Sequence, residues 1–228
     1  MNQIAYAFIP VAAVLIGALV TLWRRPSPTV ESALQHLAAG VVFGAAAAEI
    51  LPQVKHDASI LTTFVGGSLG VATMLGIKSI EARWHGPIAM VAAIAIDVFV
   101  DGLVLGLAFL AGAKAGLLLT IALTLEILFL GVTVSHELAD SIKSRVKVVA
   151  ATVALALLLP LGTVLSIPVA TLPPHLIGGF LAFGLMALLY LVTEELLVEA
   201  HEKPDSPAIT SLFFAGFLGL LLVEEMLG

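Results

Sequence analysis

The chain has 228 residues, of which 60% are hydrophobic and only 11% are charged, and its formal net charge is -6 at pH 7. A soluble globular domain is about 45 to 50% apolar and about 25% charged, so the composition excludes that class and indicates an integral membrane protein. Ten Lys and Arg residues spread over short loops form no basic patch, so no nucleic-acid partner is expected. The absence of Cys excludes disulfides, thiolate metal ligands and cysteine nucleophiles.

Apolar runs of about 20 residues, the length that crosses a hydrocarbon core of about 30 Å, follow one another along the chain. The first, residues 4–23, has no basic residue before it and is followed by Arg24 and Arg25, which predicts a retained span rather than a signal peptide. Runs such as residues 148–161 lack the alternation of barrel strands. Seven breaks rich in charge, Pro or Gly therefore predict an all-α protein with eight transmembrane helices: 24–32, 53–59, 78–86, 111–116, 141–147, 171–175 and 203–207.

The loops are short, so residues 1–228 are expected to form a single transmembrane domain. If the N-terminus lies outside, the cytoplasmic loops hold eight of the ten basic residues and only Lys55 and Lys114 lie outside. The eight are Arg24, Arg25, Lys78, Arg83, Lys143, Arg145, Lys147 and Lys203. This split predicts a multi-pass protein of a cell inner membrane or plasma membrane with both termini outside.

Pairs of glycines predict close helix packing. Gly66 and Gly70 in the third helix have small-xxx-small spacing, and Gly216 and Gly219 are near-helically spaced in the eighth. Packing inside one subunit is favoured over a seam between two subunits, and a homodimer stays open.

Acidic residues inside apolar spans are the informative feature, because a mid-bilayer carboxylate is costly unless it faces a cavity, a partner or an ion. The fourth helix contains Asp97 and Asp101 in the segment AIDVFVDGLVLG, and a spacing of four puts both on one face. Two such carboxylates repel, so they are expected to share a proton or bind a cation. Gly102 and Gly106 leave room beside them for another backbone or an ion.

Two further acids lie in the second and fifth helices. Glu126 stands in LTLEILFLG, with apolar residues on both sides and no basic mate within a span. Glu49 lies one turn before Pro52, close to the outer surface, where it is either an interfacial carboxylate facing water or an entrance ligand.

The predicted cytoplasmic ends of the fifth and seventh helices are rich in polar residues. A His and several carboxylates can form a release site for a divalent cation, and a solvated helix end is an equally weighted interpretation. The residues are His136, Glu137 and Asp140 in the fifth helix and Glu194, Glu195, Glu199, His201 and Glu202 in the seventh. Glu224 and Glu225 are interpreted as a polar C-terminal end.

No enzymatic motif is found, so no catalytic residues or cofactor are predicted. The segment beginning at His136 and Glu137 has Asp140 where the zinc protease motif HExxH has its second His, and neither GxSxG nor a glycine-rich phosphate loop is present. An intramembrane aspartyl protease uses Asp residues on two helices, whereas Asp97 and Asp101 share one.

With these residues in place, the chain resembles the ZIP family of divalent metal transporters over nearly its whole length. LQHLAAGVVFGAAAAEILPQV is similar to the family's second helix, which runs AAG and then HLLPEA. ALLYLVTEELLVEAHE is similar to its seventh, which ends in DELxPEAH, and keeps the offsets among Glu195, Glu199 and His201. The resemblance implies an inverted repeat of helices 1–3 and 6–8 around helices 4 and 5, with the metal site at mid-membrane.

The family's metal centre, HNxPEG or HNxxDG followed by HExPEG, is matched in part. DVFVDG keeps Asp101 and Gly102 but has Asp97 at the usual His and Val98 at the usual Asn. An ungapped match places Glu126 at the fifth-helix His and Leu130 at the second ligand. A rival match of SHELAD to the family's PHELGD brings in His136 but needs an insertion of about two helical turns.

The predicted function is uptake of a divalent metal ion, with the metal as the transported substrate. Its site residues are Glu49 near the entrance, Asp97, Asp101 and Glu126 at the centre, and His136, Glu137, Glu195 and Glu199 towards release. Oxygen-only ligation favours Mn2+ or Mg2+ relative to Zn2+, with Zn2+ and Fe2+ still open. The alternatives are a transport-inactive family member acting as a metal sensor or partner subunit, and a proton or organic-cation carrier.

Overall fold

A computed structural model describes residues 3–23, 26–83, 87–204 and 206–228, with side chains at 80–83, 87–90, 137, 140 and 141 left undescribed. Within these ranges the chain forms helices and no strand, and eight helices are long and apolar enough to cross a membrane, as predicted. They are α1 (Gln3–Trp23), α2 (Pro28–Asp57), α3 (Ile60–Arg83), α4 (Pro87–Ala111), α5 (Ala113–Ser141), α6 (Arg145–Thr171), α7 (Pro174–His201) and α8 (Pro207–Leu227).

Serine–proline pairs start two of these helices. Ser27 precedes Pro28 at the start of α2, and its hydroxyl accepts a hydrogen bond from the Val30 backbone NH at 3.4 Å. Ser206 and Pro207 begin α8 in the same way. The serine oxygen satisfies a backbone donor that has no partner within the helix, and proline at the first turn removes another.

Three of the helices are irregular inside the span. The backbone of α6 turns at Leu157, because Pro160 has no NH to bond one turn back, and the helix ends in the 3-10 turn Ile167–Thr171. A wider π-helical turn occupies Ala46–Ile50 in α2, just before Pro52, and another occupies Leu191–Leu196 in α7. The π-turns contain Glu49, Glu194 and Glu195, so these acids stand where the regular hydrogen-bond ladder is interrupted.

The eight helices form four main packing pairs, which meet at the centre of the bundle. α1 packs on α5, α2 on α8, α3 on α7 and α4 on α6, and α4 and α5 contact each other. Over their apolar windows, α4 and α5 are each 61% buried, whereas α8 is 11% buried and exposes apolar side chains to the surroundings. The acids of α4 and α5 are therefore placed at the centre of the bundle.

Glycines let the paired helices touch backbone to backbone. A Cβ at Gly66 would lie 2.0 Å from the Gly179 carbonyl oxygen, and one at Gly70 would lie 2.5 Å from that of Phe183, so this pair joins α3 to α7 within the chain. Gly102 stands against Leu159 of α6 in the same way. The space beside these glycines, Gly102 included, is filled by a neighbouring helix of the same subunit.

Candidate metal centre

Asp97 and Asp101 are one turn apart on the unbroken helix α4, as their spacing predicts. Thr163 of α6 donates its hydroxyl proton to the Gly102 carbonyl oxygen at 3.0 Å, and Gly102 itself packs on the α6 backbone. These contacts fix the rotation of α4 and turn its acidic face away from α6.

Glu126 of α5 completes a three-carboxylate cluster with Asp97 and Asp101. Each of the three residues offers a carboxylate oxygen, and these oxygens all lie within 4.8 Å of one another. Asp101 is 3% exposed and Glu126 is 5% exposed. Their carboxyl groups are hydrogen-bonded to each other, yet Asp101 Oδ2 and Glu126 Oε2 are buried without a hydrogen-bond partner.

The electrostatics of the cluster require a cation or protons. The charged neighbours described for Asp101 and Glu126 are acids, including Glu195 of α7. Two unit charges about 5 Å apart repel by about 3 kcal/mol at an effective dielectric constant near 20. A hydrogen bond between two carboxyl groups also needs a shared proton. The cluster is therefore built either to hold protons or to exchange them for a positive ion.

A cavity of about 310 Å³ leads to the cluster. Asp97 and Glu126 line its inner part, and Glu195, Glu199 and Glu202 line it farther along. Because Glu199 and Glu202 are exposed, the cavity reaches the surface at the end where α7 finishes. A cavity lined by carboxylates thus connects the cluster to one side of the bundle.

The acids near the end of α7 lie in three different surroundings. Glu195 lies beside the cavity, close enough to Asp101 and Glu126 to interact with them electrostatically. Glu199 accepts a 2.7 Å hydrogen bond from the Gln35 side-chain amide of α2. Glu194 points to the surface, where Lys78 Nζ lies 3.8 Å from its carboxylate.

Glu49 belongs to the opposite end of the bundle and is not part of the three-carboxylate cluster. Lys114, at the start of α5, has its Nζ 3.9 Å from the Glu49 carboxylate and 3.1 Å from that of Glu224 at the end of α8. The residues described as lining the cavity do not include Glu49. Glu49 is therefore an acid with a lysine beside it, unlike the acids of the cluster.

The fifth helix places its two candidate ligands apart. Glu126 lies in the cluster, whereas His136 lines a second cavity of about 360 Å³ together with Thr21 and Lys143. The side chain of Glu137 lies outside the described residues. Leu130 lines the cavity near the cluster, and Val98 is buried, so the two positions that lack a ligand type in the sequence present apolar groups.

Three features around the centre and at the ends of the bundle are not predicted from the sequence. Gln35 bonds to Glu199, its neighbour His36 is buried in α2, and Lys114 pairs with two acids. Gln35 and His36 are adjacent polar residues inside an apolar span, which is a signal of the same kind as the buried acids.

Neither a scan against models of known protein families nor a search of curated proteins finds a match for this chain.

Proposed function

We propose that this membrane protein transports a divalent metal cation through the Asp97, Asp101 and Glu126 cluster. The observation that supports this most is the burial of three mutually repelling carboxylates at the inner end of a cavity, within helices long enough to span a membrane. Intramembrane acids of this kind mark ion pathways.

The ligand chemistry narrows the substrate class. Three carboxylates offer only oxygen and up to three negative charges, which suits Mn2+ or Mg2+ and also accommodates Fe2+ and Zn2+. Apolar groups at Val98 and Leu130 leave a single ion site rather than two. A single exchangeable site with oxygen ligands fits a carrier, which must release its ion as well as bind it.

The helix pairing supports the inverted repeat that the ZIP resemblance implies. An inverted repeat matches α1 with α6, α2 with α7, α3 with α8 and α4 with α5. Under this matching, the packed pair α1–α5 corresponds to the packed pair α6–α4, and the packed pair α2–α8 corresponds to α7–α3. The π-turns also fit this matching, because one lies in α2 and the other lies in its counterpart α7. Two halves related in this way, with the ion site at their interface, are the usual basis of alternating access.

The distribution of basic residues gives the proposed direction. It favours an orientation with both termini outside, in which the cavity that reaches Glu199 and Glu202 opens to the cytoplasm and Glu49 lies at the outer entrance. With the outer end occupied by Lys114, the arrangement corresponds to an inward-open carrier releasing its ion, with Glu195 and Glu199 along the exit.

Uptake into proteoliposomes tests the proposal directly. The purified chain is expected to accumulate at least one of Mn2+, Fe2+, Zn2+, Co2+ and Mg2+ above empty vesicles, and the same ion is expected to raise the temperature of unfolding. Glu225→Gln, at the exposed end of α8, is the matched control and retains uptake. Proton flux without metal uptake or metal stabilisation would favour the proton-carrier alternative, and metal binding without flux would favour the sensor.

The proposed topology has its own test. A Cys introduced at Ser206 is the only thiol in the chain and is expected to react with a membrane-impermeant reagent from the cytoplasmic side. Labelling from the outside alone would reverse the orientation and turn the proposed uptake into efflux.

A further inference from the structure

Two histidines meet where α2 begins and α7 ends, outside the group of residues described as lining the carboxylate cavity. The ring centroids of His36 and His201 are 5.0 Å apart, with the rings inclined at 64°. His36 is 1% exposed, whereas His201 is exposed. The pair thus joins a buried imidazole to one in contact with the surroundings.

Both rings have the same backbone contact. The Nδ1 of His36 lies 2.9 Å from the Ser32 carbonyl oxygen, and the Nδ1 of His201 lies 2.6 Å from that of Leu197. A carbonyl oxygen only accepts, so each Nδ1 holds the proton and donates it. In the neutral ring the lone pair is then on Nε2. This is how imidazoles that bind metals through Nε2 are normally oriented.

The His36 ring presents that lone pair in a buried place. Its Nε2 has no hydrogen-bond partner, and neither does Oε1 of the adjacent Gln35. Buried polar atoms are satisfied in the great majority of cases. Two such atoms on neighbouring residues of α2 point to a ligand at this junction.

The two helix ends are held together on either side of the pair. Ser32 donates its hydroxyl proton to the Ala200 carbonyl oxygen at 3.0 Å, and Gln35 donates to Glu199 at 2.7 Å. Positions 32, 35 and 36 of α2 therefore face positions 199, 200 and 201 of α7. A site formed by the histidines is preorganised by these contacts.

We propose that His36 and His201 form a second cation site, selective for Zn2+ and chemically distinct from the carboxylate cluster. Two imidazoles on one tetrahedral zinc ion, with Zn–N bonds of about 2.0 to 2.1 Å, place their ring centroids about 5 Å apart, as observed. Imidazole nitrogen favours zinc over Mn2+ and Mg2+. Because His201 is exposed, water reaches an ion at this site, and the ion is exchangeable. This site does not depend on transport by the chain.

Zinc binding by a variant without the central cluster tests the proposal. The full-length chain with Asp101→Asn and Glu126→Gln, purified in detergent, is expected to bind one Zn2+ in equilibrium dialysis. His201→Gln in this background is expected to weaken binding at least about tenfold, as is His36→Gln. His175→Gln, an exposed histidine at the start of α7, is the matched control and leaves binding unchanged. Zinc X-ray absorption is expected to show scattering from two imidazole rings.

His201 is exposed, so its replacement reports on the site even if His36→Gln fails to fold. Absence of bound Zn2+ in the background variant, or binding that His201→Gln leaves unchanged, would overturn the proposal and leave the histidines as a packing contact. The assay measures zinc binding by a variant that lacks the carboxylate cluster. Its result therefore does not depend on whether the chain transports metal, and a failure of one proposal can be told apart from a failure of the other.

Discussion

The acids at the centre of the bundle and the acids at its ends are the same residue types in opposite surroundings. At the ends, Lys114 lies near Glu49 and Glu224, Lys203 Nζ is 3.1 Å from the Glu31 carboxylate, and Lys78 is near Glu194. At the centre, Asp101 and Glu126 are almost fully buried, and the charges described around them are negative.

This difference separates structural acids from a candidate ion site. Ion pairs with partly exposed lysines are satisfied within the protein and contribute little, about 0 to 1 kcal/mol each. Buried carboxylates facing one another are unsatisfied until a cation or proton arrives. Substitutions at the centre are therefore expected to change ion handling, and those at the ends to have milder effects.

The largest effect is expected for Asp101→Asn, which removes a ligand charge while keeping the side-chain volume and one carbonyl oxygen. Metal uptake should fall by about 100-fold or more, because charge count largely sets the affinity of an oxygen site. The metal-free variant should unfold at a temperature no lower than the wild type, since it loses repulsion of about 3 kcal/mol per close pair. Proteoliposome uptake and thermal unfolding measure the two. Wild-type uptake would remove Asp101 from the site.

Gly102→Ala tests how the centre is held. The added Cβ would lie 2.0 Å from the Leu159 carbonyl oxygen, so α4 and α6 must separate, at a cost of about 1 to 3 kcal/mol in unfolding free energy. Gly76→Ala in α3 is the matched control, because its Cβ meets nothing within 4 Å and alanine is the better helix former. Equal stability of the two variants would show that this backbone contact does not fix α4.

Selectivity is expected to respond to Asp97→His. One imidazole replaces one negative charge and should raise the Zn2+ to Mn2+ uptake ratio by about tenfold. The introduced ring must be deprotonated to bind, so uptake should fall more steeply than in the wild type below about pH 6, near an imidazole pKa of about 6.5. Competition uptake from pH 5 to 8 measures both effects, with Glu225→His as the control. An unchanged ratio would mean that Asp97 does not touch the ion.

The smallest effect is expected for Glu49→Gln at the lysine-paired end. Removing this charge should raise the KM for metal uptake by about two- to fivefold with little change in maximal rate, because the acid concentrates cations without binding them at the centre. Lys114→Gln should lower the KM instead. If Glu49→Gln abolished uptake as Asp101→Asn does, the distinction between the ends and the centre would be lost.

The sequence predicted the features that depend on local periodicity and on the bilayer. Eight spans follow from apolar length, and the shared face of Asp97 and Asp101 follows from the helical repeat. Glu126 is a candidate ligand because a mid-span acid is rare, although its distance from α4 depends on how α5 packs. The pairing of Lys114 with Glu224 joins residues 110 positions apart, and that of Gln35 with Glu199 joins residues 164 apart. No local pattern encodes such contacts, which only the helix packing creates.

Anomalous diffraction from crystals of the protein soaked in Mn2+ would show directly whether the three-carboxylate cluster binds a metal ion. We predict one strong manganese peak bound by carboxylate oxygens of Asp97, Asp101 and Glu126, at about 2.0 to 2.6 Å as for hard divalent cations. Asp101→Asn crystals soaked in the same way should lose it. Manganese peaks confined to the exposed acids at the helix ends, with none at the cluster, would contradict the assignment of this cluster as the ion site.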